Sequence, residues 1–174
     1  VLRSVIIPTL APLLRKYPKV RCDFQSREIR DLPGLLLRGE VDFIVLNDYF
    51  RRPEIASMKL GVERNILIES KKNPERKKFM IDHDPEDTTT ETFFKIQNKA
   101  APKFERIYLD DVYGILEGVI QGLGSAIVSE HLISDSMPVV KARGYKALES
   151  DVVLHYFNSP YTTRLKAAVF KQLK

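Results

Sequence analysis

Eight side chains in this sequence stand where an expected strand gives way to a helix or loop. Their types suit gripping a small polar molecule better than making or breaking bonds. Gln25, Ser26 and Arg27 follow an expected strand over 20–24. Asn47 follows an apolar run that ends at Leu46. Asp82 and His83 end the short run Phe79-Met80-Ile81 and lead to Thr88. Asp110 opens a helix with an apolar stripe. In α/β folds ligands collect beyond the carboxyl ends of strands, near helix N-termini. Main-chain N–H groups and the helix dipole there favour a negative group. Ser26 and Thr88 would add hydroxyls, and Arg27 a charge-assisted bond. The set fits a carboxylate-bearing metabolite held in a cleft. The same residues have a plainer use, since Ser26, Thr88 and Asp110 are good N-caps, each worth about 1 kcal/mol.

Other constellations argue against catalysis. Asp82-His83-Asp84-Pro85-Glu86-Asp87 looks like a metal loop but lacks the glycine and the terminal glutamate of a calcium hand. His83, His131 and His155 are scattered, with no i,i+4 pair and no cysteine partner, so a zinc site is not expected. Gly122-x-Gly124 lacks a third glycine and follows a helix, so it is not a dinucleotide fingerprint. No Gly-x-Ser-x-Gly and no phosphate loop occurs. Cys22 falls inside an expected strand and reads as a buried packing residue. The expectation is a protein with no catalytic residue, no metal and no cofactor, and not an enzyme.

Composition narrows the setting. The net charge is +5, and much of the excess lies in Lys71-Lys72-Asn73-Pro74-Glu75-Arg76-Lys77-Lys78. No aromatic residue interleaves those cations, so the run reads as a solvated loop and not as a nucleic-acid platform. The single cysteine among 174 residues excludes an intrachain disulfide. No apolar stretch approaches the ~18 residues of a membrane span, and the first residues do not read as a secretory leader. A cytoplasmic location follows as an expectation.

The elements that must position these residues can be read from periodicity. Ile6, Leu10, Leu13, Leu14 and Tyr17 mark a first helix that Pro18 ends. A strand over 20–24 and a helix over 28–38, broken at Pro33-Gly34, come next. Gly39 closes that helix, and 41–46 reads as a buried parallel strand. Strands follow at 55–60 and 62–69, around Gly61. Further strands are expected at 79–81, 104–109, 125–128, 138–141 and 151–157. Helices are expected at 88–98, 110–122, 129–133 and 161–174. In the striped helix Val112, Ile115, Leu116, Val119, Ile120 and Leu123 share a face. Such alternation of strand and helix argues for an α/β fold with parallel pairing.

Three stretches resemble the effector-binding domain of LysR-type regulators. They are 8–20, from Pro8-Thr9-Leu10 to Tyr17-Pro18-Lys19-Val20; 36–45, with Gly39-Glu40-Val41-Asp42; and 119–128, with Gly122-Leu123-Gly124. Their order and spacing fit nearly the whole chain. The resemblance implies a two-lobed fold like periplasmic type 2 binding proteins, with mixed, mostly parallel sheets, flanking helices and two crossover strands. Lobe one would be 1–64 plus 152–174, and lobe two 65–151. A small-molecule effector would sit between the lobes. The resemblance also implies a homodimer or tetramer through 4–16 and 110–122, and DNA contact only through an N-terminal winged helix-turn-helix outside this sequence. The stretch 26–39 is longer than the family pattern, and Ser129 stands where a proline is common. A free-standing solute-binding protein of the same fold and an enzyme on this scaffold are the alternatives.

Overall fold

The computed structural model describes residues 1–97 and 102–173. The polypeptide divides into two compact units, Val1–Val62 with Ser150–Lys174, and Glu63–Glu149. Two strands carry the chain between them, β2 (Ile55–Ser70) and β7 (Leu148–Phe157).

Unit 1 opens with a π-helical turn, Leu2–Ile6, that runs into α1 (Ile7–Lys16). Pro8 sits in the first turn of α1, where its missing N–H costs nothing. Ile6, Leu10 and Leu13 are buried from this segment, while Tyr17 is exposed. They pack with Ala168, Val169 and Leu173 of α5 (Arg164–Leu173). Leu165, expected to point inward, is exposed. Phe170 of α5 sits edge-on to Phe43 at 5.8 Å and 4.5 Å from the ring of Tyr156.

The expected strand over 20–24 is absent. Only Phe24 packs into the core, and Cys22 is exposed and free. With one apolar side chain inward, the stretch has no face to bury and stays irregular. The second helix is shorter than expected, α2 (Leu32–Leu37). Pro33 does not break it; it occupies the first turn and helps start it. Ser26 is therefore not its cap. Gly39 adopts φ 69° and ends it, as anticipated.

β1 is only Ile44–Leu46 and pairs antiparallel with β7, Ile44 opposite His155 and Leu46 opposite Val153. It was expected to be parallel and longer. Val41 packs against the Leu36–Ile44–Leu46–Ile55 cluster without joining the ladder. In the sheet order β7 lies between β1 and β2. The two strands expected around Gly61 are one continuous strand, β2, whose backbone passes straight through the glycine.

Unit 2 is built on the second half of β2. Asn65 to Ile68 pair antiparallel with β5 (Ala126–Ser129), and Ile68 to Ser70 with β6 (Val139–Lys141). β3 (Phe79–Asp82) pairs parallel with β4 (Glu105–Tyr108). Antiparallel ladders thus outnumber parallel ones among the registers of the described residues, against the expected parallel majority. The mixed α/β character stands. α3 (Thr89–Lys95) buries Phe93 and Phe94, and α4 (Val112–Ile120) buries Ile115, Leu116 and Val119. The ends of the α4 stripe, Val112 and Leu123, are exposed. Asn98, placed in the expected third helix, lies outside the described residues. The basic run is not an open loop: Pro74–Lys78 forms a 3-10 turn. There Arg76 Nε donates to Leu123 O at 2.9 Å and its guanidinium covers the Phe79 ring at 4.3 Å.

The glycine-rich turn has a packing reason. A Cβ on Gly124 would fall 2.6 Å from the Phe79 carbonyl oxygen. That closeness lets Ser125 N donate to Phe79 O and Ile81 N donate to Ser125 O, both at 2.8 Å. Gly122 has φ 79°, which favours glycine.

Candidate functional site

In unit 2 the candidate residues gather at the end of β3. Asp82 is buried, yet its carboxylate is fully engaged. Oδ1 accepts from the Thr90 hydroxyl, and Oδ2 accepts from Arg106 Nε at 2.6 Å. Burial holds Asp82 above the ordinary aspartate pKa, against the pull of Thr90 and Arg106. Arg106 reaches further along the loop: its other nitrogens donate to the Asp87, Asp84 and Pro85 carbonyls at 2.5, 3.3 and 3.4 Å. It also pairs with Glu91 at 3.2 Å. One guanidinium from β4 therefore organises the whole acidic turn.

The turn folds on its own carboxylates as well. Asp84 Oδ1 accepts from Glu86 N at 2.6 Å and Asp87 N at 2.9 Å. Asp87 accepts from Thr89 N at 2.8 Å and His83 N at 3.1 Å. Burial works to raise the Asp87 pKa. The bonds from Thr89 and His83 and the Arg106 charge outweigh it and hold the carboxyl below its usual range. Asp87 thus serves the start of α3, a role the sequence suggested for Thr88. Thr88 makes no side-chain cap bond and its side chain is exposed. Asp110 is likewise not the cap of α4. Asp111 is, accepting from Gly114 N at 2.8 Å, and Asp110 is exposed beside it. A residue one step later has the extended backbone a cap needs, φ −139° and ψ 131°.

In unit 1 Gln25, Ser26 and Arg27 are exposed on the irregular segment. Gln25 Nε2 donates to Asp23 at 2.7 Å and Arg27 to the Ser26 carbonyl at 3.0 Å. Arg27, Arg30 and Arg38 line one groove beside Asp31, Gly34 and Leu35. Asn47 is exposed at the end of β1.

Sequence reasoning passed over the polar feature at the centre of unit 1. His155 on β7 is fully buried. Its Nδ1 lies 2.8 Å from Ser57 Oγ on β2, and its Nε2 lies 3.0 Å from the Asp48 carbonyl oxygen. The Phe50 ring meets it edge-on at 6.3 Å. Burial depresses its pKa, and the Asp48 carbonyl and charge oppose that only in part. The available signal was a histidine directly after Val152-Val153-Leu154, because a polar ring in a buried run needs partners.

The family model for the LysR substrate binding domain matches residues 1–173, so the chain belongs to that family. Its fold is the one shared with periplasmic type 2 binding proteins. Solved structures agree. Full-length LysG of Corynebacterium glutamicum, with arginine bound as effector, is similar with TM-score 0.78 at 13% identity, over 98% of this chain and 62% of that one. The regulatory domain of CcmR from Synechocystis PCC6803, in complex with 2-PG, gives TM-score 0.77 at 10% identity over 97% and 88%. The cofactor-binding domain of the Cbl transcriptional regulator gives 0.77 at 13% over 99% and 82%. The chain therefore spans less than two thirds of the full-length regulator. These neighbours are transcriptional regulators. No curated relative matches the sequence. Among the described residues no helix is long and apolar enough to cross a membrane.

Proposed function

We propose that this chain is the effector-sensing part of a cytoplasmic transcription regulator, whose DNA contacts are made by a winged helix-turn-helix outside this sequence. The observation that carries the reading is the family match over 1–173. The effector is a small organic acid. Gln25, Ser26, Arg27, Asn47, His83, Thr88 and Asp110 are the residues proposed to contact it. Asp82 acts indirectly: both its oxygens are taken, so it holds the turn that carries His83 and Thr88. The exposed hydroxyl of Thr88, free of cap duty, supports this assignment. LysG with bound arginine and CcmR with 2-PG support a small-molecule effector.

A thermal-shift screen against arginine and a panel of di- and tricarboxylates tests the reading. Ligand at ~100-fold excess over Kd adds about 2.7 kcal/mol and a clear rise in Tm. A hit whose shift disappears in Arg27→Ala and shrinks in Thr88→Ala supports the assignment. A hit insensitive to every residue named here rules the residues out, and no hit across the panel counts against the sensor.

The oligomer forms through 4–16 and 110–122. Val5 and Ile7 at the start of the first, and Val112 near the start of the second, are exposed apolar side chains that support it, as is Leu123 just past the second. Light scattering of the native chain and of Val5→Glu tests this. A dimer that becomes a monomer fits, and a native monomer at ~100 μM excludes an interface of ordinary strength.

A further inference from the structure

A groove of about 390 Å³ lies wholly within unit 1, lined by Phe50, Arg51, Arg52, Pro53, Ile55 and Ser57. None of these residues enters the effector assignment above. The chemistry of the groove is mixed in a specific way. Arg52 rests over the Phe50 ring at 5.8 Å, and among the described residues neither Arg51 nor Arg52 is drawn into an ion pair. The Arg52 guanidinium thus stands over the Phe50 ring, and Arg51, Pro53 and Ile55 line the same groove.

Ser57 supplies the polar floor, and its hydrogen-bond polarity is fixed from behind. The Asp48 carbonyl can only accept, so the neutral ring of His155 carries its proton on Nε2. Nδ1 is then an acceptor, and Ser57 Oγ must donate to it across 2.8 Å. The serine hydrogen is committed inward, which leaves the Oγ lone pairs to face the groove. A partner for that oxygen must bring its own N–H or O–H. Because His155 is fully buried, the relay is held by the fold and does not rotate with solvent.

We propose that this groove is a second small-molecule site, and that it takes organic acids carrying a hydroxyl or amino group beside the acid, with an apolar side chain. The carboxylate is bound by Arg51 and Arg52, the donor by Ser57 Oγ, and the apolar side chain by Phe50 and Ile55. Ser57 is exposed, so a carboxylate without the adjacent donor leaves its Oγ to water and forgoes one hydrogen bond, which weakens binding.

The test compares L-3-phenyllactate with 3-phenylpropionate, which lacks only the hydroxyl, by calorimetric titration of the native chain. Phenyllactate is expected to bind with a Kd on the order of 1 mM or tighter, and about fivefold better than phenylpropionate. The double variant Arg51→Ala/Arg52→Ala should weaken phenyllactate by about tenfold. Ser57→Ala should abolish the preference between the two acids while leaving phenylpropionate binding unchanged. Circular dichroism checks that Ser57→Ala is folded. If it is not, the arginine variant, altered only at exposed positions, carries the test with the two-acid comparison. Absence of saturable phenyllactate binding, equal affinity for both acids, or affinity untouched by the arginine variant each overturns the proposal. None of those results bears on the effector reading, which rests on other residues.

Discussion

Arg106 Nε stands 2.6 Å from Oδ2 of Asp82, joining the middle of β4 to the buried end of β3. The aspartate side chain is 2% exposed and the arginine 19%, so the pair is largely out of water. Removing one member of a buried pair leaves a charge without compensation, which costs about 3–5 kcal/mol. Arg106→Met is expected to lose stability on that scale in urea denaturation. The double variant with Asp82→Asn should recover part of it, because no charge remains unpaired. Equal loss in the single and double variants would show that the arginine matters only through its bonds to the Asp84, Pro85 and Asp87 carbonyls.

His155 makes stability depend on pH. Its folded pKa lies below the unfolded value of 6.5, so the unfolded chain binds more protons through that window. The contribution is whole above the unfolded value. It is lost as pH falls from there toward the depressed folded value. The groups facing the ring are the Ser57 hydroxyl, the Asp48 carbonyl and Phe50. Tm should drop between about pH 7.5 and 5.5, and His155→Gln should flatten that slope. A slope unchanged by the substitution would assign the dependence to other groups.

Adjacent aspartates separate the two accounts of the α4 start. Asp111→Ala should cost about 1 kcal/mol, the price of a lost cap. Asp110→Ala should change stability by no more than about 0.5 kcal/mol, as an exposed side chain away from the cap bond. Thermal melts of both variants decide. The reverse order would restore the cap to Asp110.

Gly124→Ala places a methyl group 2.6 Å from the Phe79 carbonyl oxygen, where backbone cannot yield cheaply. A loss of about 2 kcal/mol or more is expected. Gly61→Ala, with open space around its Cβ position, serves as the control and should be nearly neutral. Chemical denaturation of both variants compares them.

Strongly periodic segments were legible in advance. α4 and the buried part of its stripe follow from Ile115, Leu116 and Val119, and the turn at Gly122 and Gly124 from the glycines alone. Helix ends were less legible: α4 starts one residue from the expected cap, which passed from Asp110 to Asp111, but α2 begins only at Leu32, α3 ends already at Lys95 and α5 starts only at Arg164. The strand over 20–24 failed because alternation in Val20, Cys22 and Phe24 says nothing about whether a partner strand is present. Pairing direction also escaped, since antiparallel β1 and parallel β3 have similar apolar runs. The polar groups of the candidate site were found where they end a strand, as at Asp82. They were missed where they meet across strands, as with Ser57 and His155, which are 98 positions apart. Arg106 was missed for the same reason. It acts on residues 15 to 24 positions away.

The approach of Gly124 to Phe79 has a consequence for how the sequence can drift. Position 124 is pinned by main-chain atoms, so the alignment of this turn against β3 does not depend on which side chains flank it. Phe79 and Ser125 meet through amide and carbonyl groups that every residue other than proline possesses. The side chains beside it are limited by their own surroundings, Gly122 by its φ of 79° and Ser125 and Ala126 by burial, while the main-chain approach at Gly124 alone sets where the turn lies along β3.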